Sequence, residues 1–198
     1  MGVDVARELL KALGLDLDRE GTRDTPRRFF GALSELTRGL REPPPEVVFF
    51  PTRYSGAVEV RGVKAVGVCE HHMLPIIMRI SVSYIPGDAG APGLSKVIRL
   101  IKWAAARPLM QEEFTEWLAD LLLERLKAKA VKVEVVGWHT CAALRGVKDE
   151  SHRMVTRASR NWPGEPPAPV DARQPAQLIR AAGPCTAPGL RRGLGGKI

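Results

Sequence analysis

Two short clusters of soft-metal ligands, Cys69-Glu70-His71-His72 and His139-Thr140-Cys141, stand far apart in this chain. They carry the residue types that a single zinc ion gathers, thiols and imidazoles, beside a carboxylate. A fold that brings them together must deliver two distant segments to the same place. That requirement constrains the architecture more than any other feature of the sequence.

The chain has 198 residues, of which 44% are apolar and 26% charged, the composition of a globular domain rather than a fibrous or disordered one. No apolar run approaches the roughly 18 residues needed to cross a bilayer. The first ten residues include Asp4, Arg7 and Glu8 where a signal peptide would be apolar. A cytoplasmic protein with no membrane partner is expected. Cys69, Cys141 and Cys185 are too few and too scattered for a disulfide scaffold, so a metal outranks a disulfide. The formal charge of +8 favours anionic partners, either nucleic acid or phosphorylated small molecules.

Hydrophobic periodicity divides the chain. Val5, Leu9, Leu10 and Leu13 recur at helical spacing before Gly14. Thr25-Pro26 offers a capping hydroxyl and a first-turn proline for a second helix, with Phe29, Leu33 and Leu36 along one face. Period-two alternation predicts strands over 57–69 and 78–84, with the Cys-Glu-His-His run in the turn between them. Gly93-Leu94-Ser95, with Ser95 as cap, opens a helix that Arg107-Pro108 breaks. Another helix is predicted from Gln111 to Lys127, its first turn carrying two glutamates where the macrodipole favours them. Val131, Val133 and Val135 then alternate in a last strand running into His139 and Cys141. Extended backbone would put those two ligands on one face unless a bulge at Gly137 changed the parity. This reading gives an N-terminal helical segment (1–50), a catalytic domain (51–160) and a Pro/Gly-rich C-terminal tail (161–198) that adds no core.

The residues alone leave several chemistries open. All four Cys and His side chains of the two pairs could close a structural zinc site, three of them could form a catalytic one, or there could be no metal at all. With Cys69, His72 and Cys141 as ligands, His71 and His139 remain as imidazoles suited to proton transfer near neutral pH. Ser95, Lys96 and Arg99 at a helix N-terminus, and Arg145 just past Cys141, suit a polyphosphate; singly, each is an ordinary surface charge. Glu112 is an ordinary first-turn carboxylate that could also accept two N–H bonds from a guanine edge.

In order and spacing, Glu20-Gly21-Thr22 with Thr25-Pro26-Arg27-Arg28, then Cys69-Glu70-His71-His72, Gly93-Leu94-Ser95-Lys96 with Arg99, Arg107-Pro108 with Gln111-Glu112, and His139-Thr140-Cys141 with Arg145-Gly146-Val147 resemble the GTP cyclohydrolase I family. The resemblance covers roughly residues 9–156. It implies an α+β tunnelling fold: an antiparallel four-stranded sheet with two helices on one face, preceded by N-terminal helices. It also implies a homo-oligomer, a decamer of two pentamers with active sites at subunit interfaces.

The implied reaction is zinc-dependent hydrolytic opening of the guanine imidazole ring of GTP, with loss of formate and formation of 7,8-dihydroneopterin triphosphate. By position, Cys69, His72 and Cys141 correspond to the zinc ligands, and His71 and His139 to the proton-transfer residues. Glu112 with Gln111 corresponds to the guanine-recognising group. Lys96, Arg99 and Arg145, with Ser95 and Arg28, correspond to the triphosphate clamp. Two other readings compete: a relative acting on a different nucleotide or stopping at a ring-opened intermediate, and a catalytically silent oligomer that binds zinc and nucleotide or nucleic acid.

Overall fold

A computed structural model of the chain describes residues 1–164. The expectations for the tail beyond Gly164, and any role of Cys185, lie outside the described residues.

The elements run α1 (Gly2–Ala12), α2 (Thr25–Leu36), a 3-10 turn (Arg38–Leu40), β1 (Phe49–Phe50), β2 (Val58–Cys69), β3 (Pro75–Ile85), β4 (Ala91–Pro92), α3 (Leu94–Ala105), β5 (Pro108–Leu109), α4 (Gln111–Arg125), β6 (Ala130–His139), α5 (Thr140–Ala143) and β7 (Met154–Arg160). The main sheet has the order β5-β2-β3-β6-β7. Its four long strands are antiparallel throughout, and the two-residue β5 adds a parallel pairing at the end of β2. The antiparallel four-stranded sheet expected of the tunnelling fold is therefore present, with one short strand added.

Alternation decides which face of the sheet is covered. Ile76, Met78, Ile80 and Val82 of β3 are buried with Val131, Val133 and Val135 of β6. They share a core with Val97, Leu100, Ile101 and Ala104 of α3 and Phe114, Leu118 and Leu122 of α4. Both helices thus lie on one face, each burying a stripe of roughly helical period. On β2 the parity switches partway: Val60 is buried, and then Val63 and Ala65. A register shift between Val60 and Val63 accounts for this, with Gly62 in the left-handed region at φ +67.

Three local expectations need correction. Asp24, not Thr25, holds the cap position of α2, and Thr25 is already helical. Gly93, not Ser95, caps α3. There the β1–β4 ribbon dictates the start, because Gly93 donates its N–H to Val48 O at 2.9 Å while extended at φ -63 and ψ 128. Cys141 lies in the helical turn α5 rather than on a strand, and β6 pairs with β3 through Gly137 with no bulge.

The N-terminal segment is tied to the domain through Arg107. This guanidinium is 2% exposed and stacks between Trp103 and Trp117, at 4.8 and 4.2 Å from the ring centres. It donates to Ala104 O at 2.8 Å and to Gly39 O at 3.1 Å. Burial pulls its pKa down to about 10, so it stays charged at neutral pH. Trp103 Nε1 donates to Glu42 O at 2.9 Å, a second tie across the same junction.

Candidate metal and nucleotide site

The two distant clusters meet because of strand register. The turn after β2 is tight: Met73 N–H donates to Cys69 O at 2.7 Å, Cys69 N–H donates to Leu74 O at 2.8 Å, and Met73 sits at φ +54. The chain then reverses into β3, whose Ile76 pairs with His139, the last residue of β6. Thr140 Oγ1 donates to Pro75 O at 2.6 Å, which seats α5, and Cys141 with it, beside the turn.

Cys69 Sγ and His72 Nδ1 are 3.5 Å apart, and the ligand atoms of Cys69, His72 and Cys141 all lie within 4.8 Å of one another. Metal–sulfur bonds of about 2.3 Å and metal–nitrogen bonds of about 2.0 Å hold sulfur and nitrogen about 3.5 Å apart on a tetrahedral ion. The donor set fits. Among the described residues no fourth Cys, His or carboxylate joins this group. Burial, and the adjacent Cys69, push the Cys141 thiol up, so a cation is needed to favour its thiolate.

His71 is exposed, with Nδ1 3.8 Å from Cys69 Sγ and Nε2 3.8 Å from Glu70 Oε1. His139 is half-buried at the end of β6, with Nε2 2.9 Å from Gln111 Oε1. Its pKa is lowered chiefly by burial and then by His152, while Glu112 opposes the shift. Glu112 is exposed on the first turn of α4, in an open cleft of about 350 Å³ shared with Glu113, Glu116, Thr156 and Arg157. Gln111, expected beside Glu112 as a guanine reader, is instead 1% exposed and turned into the sheet.

The cations divide. Ser95, Lys96 and Arg99 lie on the first turns of α3, and Arg145 follows α5. Lys96, Arg99 and Arg145 have no ion-pair partner among the described residues, whereas Arg28 stands 3.6 Å from Asp24 and Arg160 is engaged by Asp120 and Glu116. His152 escaped the sequence reading. Its ring centre is 6.4 Å from that of His139, and its Nε2 is buried without a partner. No spacing or periodicity distinguishes a lone histidine in a loop.

An antiparallel sheet carrying two helices on one face, with a Cys2His group that could hold a metal ion at one end, defines an α+β domain with a candidate metal centre. A sequence model of the GTP cyclohydrolase I family matches residues 3–165. The chain is 66% identical over 157 residues to GTP cyclohydrolase 1 of Pyrobaculum neutrophilum, spanning 78% of this chain and 83% of that protein. It is 64% identical over 156 residues to the Pyrobaculum aerophilum protein of the same name, spanning 77% and 83%. The Sulfurisphaera tokodaii protein of that name is 40% identical over 163 residues, spanning 78% and 79%. The chain belongs to the GTP cyclohydrolase I family.

Proposed function

We infer that this chain is a GTP cyclohydrolase I that opens the imidazole ring of the guanine of GTP by hydrolysis, releases formate and forms 7,8-dihydroneopterin triphosphate. The convergence of Cys69, His72 and Cys141, the last of them two residues after His139, carries this reading. These three residues hold Zn2+, which when bound supplies Lewis-acid activation of water. His71 and His139 move protons to and from the ring and the ribose oxygen. The Glu112 carboxylate accepts two N–H bonds from the guanine edge. Lys96, Arg99 and Arg145, with Ser95, hold the triphosphate, and their lack of carboxylate partners among the described residues leaves their charge available to it. Arg28 contributes less, because Asp24 already engages it.

The enzyme assembles as a homo-oligomer, a decamer with active sites at subunit interfaces. Among the described residues nothing pairs with the outer edge of β7, and β5 covers the outer edge of β2 only at Val68 and Cys69. Such edges are templates for another copy. Light scattering measures the assembly. Incubation of the zinc-loaded protein with GTP is expected to yield formate, and a fluorescent pterin after oxidation. Full zinc occupancy without either product would refute the catalytic reading.

A further inference from the structure

Strand β6 holds a glycine where its alternation calls for another core side chain. Val131, Val133 and Val135 face the helices, and Gly137 is next in that series. A Cβ built there would lie 2.0 Å from Gln111 Oε1 and 3.3 Å from His139 Nε2. The space that glycine leaves is filled by the Gln111 carboxamide.

The orientation of that carboxamide follows from its partners. Gln111 Nε2 lies 3.2 Å from Val135 O, 3.1 Å from Met154 O and 3.1 Å from Thr156 Oγ1. Backbone carbonyls only accept, so the NH2 group must face them and the amide oxygen must face His139, 2.9 Å away. An amide oxygen also only accepts. His139 therefore carries its hydrogen on Nε2, and in the neutral ring Nδ1 is a bare lone pair.

We propose that Gln111 is a positioning residue that fixes His139 as the Nε2–H tautomer, leaving Nδ1 to exchange protons with the substrate, and that Gly137 supplies the room for it. This rests on His139 being the proton carrier inferred above. It removes Gln111 from guanine recognition, because both amide hydrogens are already shared among three protein acceptors.

Solid-state 15N spectra of the zinc-loaded, histidine-labelled enzyme test the tautomer without any variant. The proposal expects His139 protonated at Nε2 only, and a signal from an Nδ1–H form would overturn it. In Gln111→Leu the tautomer preference should be lost. In the same variant kcat for GTP should fall about 10- to 100-fold, the range seen when partners that orient metal-bound histidines are removed. KM, zinc content and the preference for GTP over inosine triphosphate, which lacks the 2-amino group, should stay near wild type. Gly137→Ala, which displaces the amide without deleting it, should show the same kcat loss.

A raised KM with a lost preference for GTP and an intact kcat would make Gln111 a guanine reader and refute the proposal. His139→Ala separates the two levels. An active His139→Ala removes the reading on which the proposal stands, whereas an inactive His139→Ala beside a Gln111→Leu variant of wild-type kcat defeats the proposal alone.

Discussion

Cys141 and His139 are two residues apart and do different work. Cys141 is one of three donors that a cation would join, so Cys141→Ala should strip the metal, as elemental analysis would show. His139 contributes no ligand atom to that group. His139→Ala should retain the metal and lose about 10²- to 10⁴-fold in turnover, measured as formate release. Equal metal loss in both variants would contradict this division. Arg99, unpaired among the described residues, should matter chiefly to binding. Arg99→Ala should raise KM for GTP about tenfold or more, the scale of one lost charge-assisted hydrogen bond, with a smaller change in kcat.

At this scale the ligands were legible because thiols and imidazoles are the donors zinc takes, and they fall in two short clusters. Gln111 was not: a polar residue at the start of a helix, next to Glu112 and Glu113, reads as solvent-facing. Its burial comes from the approach of β6 and β7 at Gly137, a tertiary event with no local trace.

Among the elements, β2, β3 and β6 were readable because one face of each is packed and the other wet, which imposes a two-residue period. The last strand, β7, emerged only through family resemblance. Its inward positions are Met154, Thr156 and Ala158, of which one is polar and one small, so the hydrophobic alternation is faint. The four-residue α5 is too short to show any helical period, and so Cys141 was placed on an extended strand.

Arg107 marked only a helix break in the sequence, yet its side chain joins three elements. Arg107→Ala would lose both carbonyl contacts and the stacking on two indoles. Hydrogen bonds from a charged group contribute about 1.5–3 kcal/mol, so a destabilisation of at least that order is expected in thermal unfolding. Limited proteolysis should then cut first within residues 1–40, because the tie to Gly39 is gone.

For the whole molecule, the antiparallel register aligns β2, β3 and β6 so that their ends carry the candidate site, and α4 starts at that same end, with Gln111 against His139. No helix among the described residues is long and apolar enough to cross a membrane. Metal removal acts on this entire unit by linkage. Free metal at a hundredfold excess over its dissociation constant stabilises the fold by about 2.7 kcal/mol, so chelation should lower the unfolding midpoint in calorimetry and restored metal should raise it again. The midpoint would not move if the cluster bound nothing.

The pairing of Ile76 with His139, and the hydroxyl of Thr140 on Pro75, hold Cys141 beside Cys69 through strand register and one side-chain hydrogen bond. The donors share the seam between β3 and β6, so Thr140→Val, which removes the seating hydroxyl and no donor atom, is expected to loosen the grip on the ion as well, read as a raised zinc dissociation constant.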